Sequence, residues 1–180
     1  MFEDFVRTLE TDLRRETNDS YIFEEISQDY EAQMVQIFNK AVRDEIEASV
    51  GYRVMAESIQ GTGVLIKKEL SEHSVEEFEH FNQLIIYASN HGFLQKLDYN
   101  TRGTFMTPQE LPTNLEGIVQ FTQDLEKEAY TDYKAAAELA NSVGDSETRL
   151  FFETLMQEEL KHYDHISDHD ENSKRSLNDF

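Results

Sequence analysis

Two segments of the sequence place a glutamate three residues before a histidine, with apolar residues on either side. The first pair is Glu77 and His80, and the second is Glu159 and His162, inside the segment EELKHYDH at 158–165. Side chains three residues apart lie on one face of a helix. A carboxylate and an imidazole on one face are suitable ligands for a transition metal if they point inward. If they point outward, they are ordinary surface charges.

Two further glutamates, Glu45 and Glu126, complete a repeated pattern. Glu126 follows Glu45 by 81 residues, and the second Glu-x-x-His pair follows the first by 82. Each of these lone glutamates also precedes a tyrosine, Tyr52 or Tyr133, by seven residues. A single Glu-x-x-His pair arises easily by chance, but two pairs at equivalent places in two halves are much rarer. Four carboxylates that face a core without compensation would be very costly, so bound cations are expected.

The six residues form the ligand set of a dinuclear carboxylate centre: Glu45, Glu77, His80, Glu126, Glu159 and His162. We predict that Glu77 and Glu159 bridge two metal ions about 3.5–4 Å apart. Each histidine and each lone glutamate would then complete one ion. Mixed oxygen and imidazole ligation favours two iron ions, with manganese as the alternative, over tetrahedral zinc. The open coordination positions would take dioxygen, peroxide or water, so these residues are also the predicted catalytic set.

The hydrophobic pattern predicts an all-α fold around this set. Helical periodicity predicts four long helices, at about 36–59, 64–90, 114–141 and 146–167. Short turns join the first to the second and the third to the fourth. Pro108 and Pro112 lie in the much longer connection between these pairs. The expected architecture is therefore a four-helix bundle, made of two helical hairpins joined by a long crossover, with an N-terminal helical extension.

The ends of the chain are predicted to lie outside the bundle. The predicted division is an N-terminal helical extension over 1–35, a di-metal four-helix bundle over 36–168 and a polar tail over 169–180. Within the extension, an amphipathic helix over 1–16 is predicted to end at a break over 17–20, TNDS. The apolar stripe of this helix needs a partner surface, so a homo-oligomer is expected, and the alternative is that the stripe folds back on its own bundle. The stripe consists of Phe2, Phe5, Leu9 and Leu13.

Composition excludes several classes of function. The 180 residues carry a net charge of −21, which disfavours nucleic acid and anionic membranes but is compatible with attracting metal ions. Cysteine is absent, so disulfides, iron–sulfur clusters and a rubredoxin-type centre are not expected. There is no apolar run of roughly 20 residues and no signal-peptide pattern, so the expected location is cytoplasmic and away from membranes.

Three segments resemble the ferritin-like superfamily, and within it the rubrerythrin and bacterioferritin branch. LEKEAYTDYKAAAELA at 125–140 and FFETLMQEELKHYDHI at 151–166 resemble the third and fourth helices of rubrerythrin-type domains. NKAVRDEIEASVGY at 39–52 resembles the first helix of bacterioferritins. The resemblance implies a ferritin-like fold and a di-iron carboxylate oxidoreductase. Such an enzyme oxidises Fe(II) with dioxygen or hydrogen peroxide, as a ferroxidase that sequesters iron or as a remover of peroxide.

Departures from the family pattern narrow this expectation. Rubrerythrins carry an additional glutamate where this chain has Ala129, and they carry a cysteine-ligated iron domain that this sequence lacks. Any electron donor would therefore be external. Bacterioferritins bind haem through a methionine where this chain has Phe78, so no haem is expected. Two alternatives stay open, namely a non-enzymatic acidic protein that binds or stores iron, and a di-metal oxygenase acting on an organic substrate.

One more histidine lies near the predicted ligands. His73 is one turn before Glu77 on the same helix face, while His165 and His169 continue the stripe of His162. His73 is either an additional ligand or a residue at the edge of the bundle, and the other two are either weak metal ligands or solvated side chains.

Overall fold

The structure, a computed structural model, is built from four long helices. It describes residues 2–60, 63–96 and 110–178, and the side chains within 29–60, 63–94, 96 and 110–168. The helices are α1 Phe2–Ser58, α2 Val64–Asn90, α3 Leu115–Ser142 and α4 Ser146–Asn178, with a 3-10 segment at Leu94–Lys96. These described ranges contain no strand, so the predicted all-α fold with four long helices is confirmed. In the same ranges no helix is both long enough and apolar enough to cross a membrane.

The first helix corrects one prediction. The expected break over 17–20 is wrong, because α1 is helical from Phe2 to Ser58. Asparagine, aspartate, serine and threonine favour helix ends, but this segment has no proline or glycine to stop the backbone ladder. α4 is also longer than expected and ends at Asn178. The backbone divides into two compact units, Met1–Gln36 and Ile37–Phe180, while the domain limits themselves stay a prediction.

The α3–α4 hairpin is closed by a turn that needs glycine. Gly144 has a φ of +79°, a left-handed conformation that side chains disfavour. Asp145 then caps α4, because its Oδ1 accepts a hydrogen bond from the backbone N–H of Thr148 at 3.0 Å. At the other end of the hairpin, Asn114 caps α3 by accepting from the backbone N–H of Gly117. Asn114, and not its neighbour Thr113, is therefore the N-cap of α3.

Two apolar layers lie at different heights along the bundle of the second unit. One layer is aliphatic and includes Leu70, Ile118 and Ile166. The other is aromatic and centres on Phe38, whose ring lies 5.3 Å from that of Phe152. On each of the four helices the predicted ligands occur between residues of these two layers. The ligand positions are therefore separated from solvent along the bundle axis, where the cost of an unpaired charge is high.

Candidate metal centre

The structure brings all six predicted ligands together in the interior of the second unit. Each helix contributes at the same height, so no ligand comes from a loop. Their side chains are buried, with exposed fractions of 1–5% per residue: Glu45, Glu77, His80, Glu126, Glu159 and His162. The prediction that these side chains point inward is therefore in agreement with the geometry, while their binding of metal stays a prediction.

The six side chains form two overlapping groups, each able to hold one ion. In one group the ligand atoms of Glu45, Glu77, His80 and Glu159 lie within 4.8 Å of one another. The other group has the same spread and comprises Glu77, Glu126, Glu159 and His162. Glu77 and Glu159 belong to both groups. These are the two residues predicted to bridge the metal ions.

The orientation of the shared carboxylates supports a bridging role. Oε2 of Glu77 lies 3.0 Å from Nδ1 of His80, and its Oε1 lies 3.0 Å from Nδ1 of His162. The carboxylate of Glu159 has a similar arrangement. Its Oε1 lies 3.0 Å from Nδ1 of His80, and its Oε2 lies 3.8 Å from Nδ1 of His162. Each carboxylate thus turns one oxygen toward each group. In both histidines Nδ1 faces the shared carboxylates, and Nε2 contacts a second carboxylate outside the six.

For each histidine this second partner is a carboxylate on the opposite helix, and neither carboxylate was predicted from the sequence. Nε2 of His80 lies 3.0 Å from Oε2 of Glu158, and Nε2 of His162 lies 2.9 Å from Oε2 of Glu76. A carboxylate behind a metal-binding histidine orients the ring and makes it a stronger ligand. A signal was present in the sequence, because each predicted bridge is preceded by a glutamate. Their crossed pairing could be recognised only once α2 and α4 were placed side by side.

Glu158→Gln should weaken divalent metal binding by about tenfold, since partners behind a metal ligand contribute about 10–100-fold. The amide keeps an acceptor for His80 but removes the charge. Glu79→Gln is the matched control, because Glu79 is an exposed acid one residue before His80. Competition with a coloured chelator for Co²⁺ would measure the affinities. Equal affinities for the two variants would contradict a role for Glu158.

The two tyrosines of the repeat, Tyr52 and Tyr133, form hydrogen bonds between the first hairpin and the second. The hydroxyl of Tyr52, on α1, donates a hydrogen bond of 2.8 Å to Oε1 of Glu126 on α3. The hydroxyl of Tyr133, on α3, donates to Oε1 of Glu45 on α1. Burial, followed by the neighbouring carboxylates, holds both phenol pKa values well above the usual range. Each tyrosine therefore remains a hydrogen-bond donor that fixes one lone glutamate.

In the metal-free state, protons neutralise the buried acids. Burial and the charge of Glu77 raise the pKa of Glu45 to about 8, and the pKa of Glu159 is raised well above its usual range for the same reasons. Burial also opposes ionisation of Glu77, but the nearby imidazoles of His162 and His80 outweigh it and lower the pKa of Glu77. The site therefore holds neutral and ionised glutamates side by side.

The histidines balance the ionised acids. Burial disfavours the cation of His162, yet the nearby carboxylates of Glu126 and Glu77 raise its pKa to about 11. The pKa of His80 is raised by the nearby carboxylates of Glu159, Glu45 and Glu77, again against the effect of burial. The pKa of Glu126 is also lowered, so two imidazolium ions oppose the carboxylates of Glu77 and Glu126 near neutral pH. Two divalent ions could replace these protons, because four carboxylates and two divalent cations also sum to zero charge.

Comparison with known proteins assigns this four-helix arrangement to a family. The ferritin-like domain family matches residues 35–176, most of the chain. The chain belongs to the ferritin-like family. The predicted membership in this superfamily is therefore confirmed, and the match spans all six candidate ligands.

Individual relatives agree with this assignment. The chain is 29% identical over 141 residues to a bacterioferritin of Rhodobacter capsulatus, covering 76% of this chain and 81% of the relative. Among solved structures, a dodecameric thioferritin, the bacterioferritin-related protein from Bacteroides fragilis, has a TM-score of 0.72 at 19% identity, over 83% of this chain and 91% of that chain. A protein from Xanthomonas campestris has a TM-score of 0.66 at 20% identity, with 84% and 97% covered. At these identities the two structures establish the ferritin-like fold.

Proposed function

We propose that this chain binds two iron ions and acts as a ferroxidase, oxidising Fe(II) with dioxygen or hydrogen peroxide. The observation that carries the proposal is the pair of overlapping ligand groups that share Glu77 and Glu159. The name of the bacterioferritin relative supports iron as the metal. Iron bound in this way would be sequestered, so iron storage is the coarser form of the same proposal.

The roles of the residues follow from their positions. Fe(II) is the substrate, and Glu77 with Glu159 would hold two Fe(II) side by side, each completed by one histidine and one lone glutamate. Two Fe(II) lose one electron each, and one dioxygen with two protons becomes hydrogen peroxide. When hydrogen peroxide is the oxidant, it takes up the two electrons and two protons and becomes two water molecules. Tyr52 and Tyr133 keep the lone glutamates aimed at the centre.

Buried carboxylates suit this reaction because the product carries more charge than the substrate. Oxidation adds one positive charge per ion, and ionised carboxylates in a low-dielectric interior stabilise that charge strongly. The apolar layers above and below keep bulk water out of the centre. The four carboxylates therefore favour Fe(III) over Fe(II), and oxidation of Fe(II) to Fe(III) is the reaction of a ferroxidase. Because carboxylates also suit Mn²⁺, manganese would compete with iron for the centre.

Stopped-flow mixing of anaerobic Fe(II)-loaded protein with dioxygen, or with hydrogen peroxide, tests the proposal. We expect rapid oxidation that saturates at two Fe(II) per chain, and the faster of the two reagents identifies the preferred oxidant. Oxidation no faster than that of Fe(II) in protein-free buffer would reject the enzyme. If metal were still bound in that case, a non-catalytic iron-binding protein would be left as the function.

We also expect the protein to form a homo-oligomer. The likeness to a dodecameric thioferritin supports this proposal. Large apolar side chains exposed along α2 add to it, because such side chains commonly lie in subunit contacts: Val64, Leu65, Val75, Phe78 and Ile86. Light scattering at micromolar concentration should give a mass that is a multiple of the 21.0 kDa chain. A mass equal to one chain would contradict the expectation.

A further inference from the structure

A buried histidine outside the six predicted ligands has no hydrogen-bond partner among the described residues. His73, on α2, is 1% exposed, and neither of its ring nitrogens makes a hydrogen bond with any residue that the structure describes. A buried polar group without a partner is costly and uncommon in folded proteins. Its ring stacks on that of His162, with centroids 4.3 Å apart, which holds the plane of His73 in place. An orientation that is held fixed while both nitrogens stay unsatisfied is expected for a ligand site.

The two nitrogens of His73 face different groups of acceptors. Nδ1 lies 3.7 Å from Oε1 of Glu126, one of the six ligands. Nε2 lies 3.8 Å from Oε2 of Glu69, one turn earlier on α2 and outside the six ligands. Atoms bound to one transition-metal ion at about 2.0–2.2 Å are separated by up to about 4.4 Å. The spacing between His73 and Glu69 therefore fits a shared ion without movement of the helix.

A third side chain completes this outer cluster. His165 lies one turn beyond His162 on α4, and its ring is 6.4 Å from that of His73. Ligand atoms of Glu69, His73 and His165 lie within 4.8 Å of one another. Exposure falls along the cluster, from the exposed His165 through Glu69, whose side chain is 18% exposed, to His73 at 1%. The cluster thus reaches from solvent to the edge of the dinuclear centre.

We propose that Glu69, His73 and His165 bind a third divalent transition-metal ion, and that this outer site is where Fe(II) loads before it reaches the dinuclear centre. Two imidazoles and one carboxylate suit Fe²⁺, Co²⁺ or Zn²⁺ better than Mg²⁺ or Ca²⁺, which prefer oxygen ligands. Nδ1 of His73 lies 3.7 Å from Oε1 of Glu126, so an Fe(II) ion in the outer site would be next to a ligand of the dinuclear centre. The loading role rests on the proposed ferroxidase function, but the third site itself does not.

Binding of Co²⁺ to the full-length protein tests the site. Equilibrium dialysis with metal analysis should give three Co²⁺ per chain in the parent protein and two in His165→Gln. His165 is exposed, so this substitution leaves the core intact. Glu69→Gln provides a second test and should also lower the number to two. Asp164→Asn removes an exposed acid next to His165 and outside the cluster, and should keep three.

The outcomes separate this proposal from the dinuclear one. Equal Co²⁺ content in the parent, His165→Gln and Glu69→Gln overturns the third site, whatever the dinuclear centre binds. Failure of the dinuclear centre would appear instead as an unchanged metal content in Glu159→Ala. For the loading role, His165→Gln should slow oxidation several-fold at low Fe(II) and leave the rate at saturating Fe(II) unchanged. A rate unchanged at every Fe(II) concentration rejects that role.

Discussion

Glu159→Ala should abolish rapid Fe(II) oxidation and remove at least one of the two bound ions. Glu159 turns one oxygen to His80 and the other to His162, so both ions would lose a ligand at once. Loss of a partner that lies behind a metal ligand already costs about 10–100-fold in affinity or activity. Loss of a bridge should therefore lower the initial rate by about 100-fold or more.

The measurement combines stopped-flow oxidation with metal analysis of the same samples. Asp164→Ala is the matched control, because it removes one acid from an exposed position on the same helix. We expect the control to keep the parent rate and the parent metal content. If Glu159→Ala binds two iron ions and oxidises them at the parent rate, the six residues are not the site.

Divalent metal should raise the melting temperature of the parent protein strongly. An ion that binds the native state at a thousand times its dissociation constant adds about 4 kcal/mol to the free energy of unfolding. For a domain of this size, each kcal/mol corresponds to about 2–4 °C, so one ion adds about 8–16 °C. Differential scanning calorimetry with Mn²⁺ or Co²⁺ avoids oxidation during the measurement.

Glu159→Gln separates metal stabilisation from the packing of the core. Because the pKa of Glu159 is raised well above its usual range in the metal-free state, the neutral amide resembles the form present near pH 7. Without metal, the variant should therefore melt at nearly the same temperature as the parent. Added metal should raise the melting temperature of the variant much less than that of the parent. An equal rise in both proteins would show that the stabilising ion binds elsewhere.

The size of the metal effect should depend on pH. The pKa of Glu45 is raised from 4.5 to about 8 in the folded, metal-free protein, so the folded state holds more protons than the unfolded state between these values. Stability of the metal-free protein therefore falls as pH rises through about 8. Metal binding needs the ionised carboxylate, so it strengthens over the same range. The gap between the melting temperatures with and without metal should widen from pH 6 to pH 8.

How much the sequence predicts depends on how local each feature is. The sequence predicts α2 at 64–90, and the structure has it at Val64–Asn90. Its ends are predictable because glycines lie just outside both of them and because its apolar residues recur with helical spacing. The six ligand positions were predicted for a related reason: a residue's place on a helix face depends only on its spacing from its neighbours. The 17–20 break was wrong, because residue preferences for helix ends are weak without glycine or proline.

Taken alone, the sequence determined that the fold is helical, which faces of the helices point inward, and which six polar residues lie on those faces. Tertiary structure decided which side chains on different helices meet. It paired His80 with Glu158 and His162 with Glu76, and it directed Tyr52 to Glu126 rather than to a residue of its own helix. These contacts depend on the heights and rotations of packed helices. Local periodicity leaves both quantities undetermined, because they result from how side chains of separate segments fill the shared core.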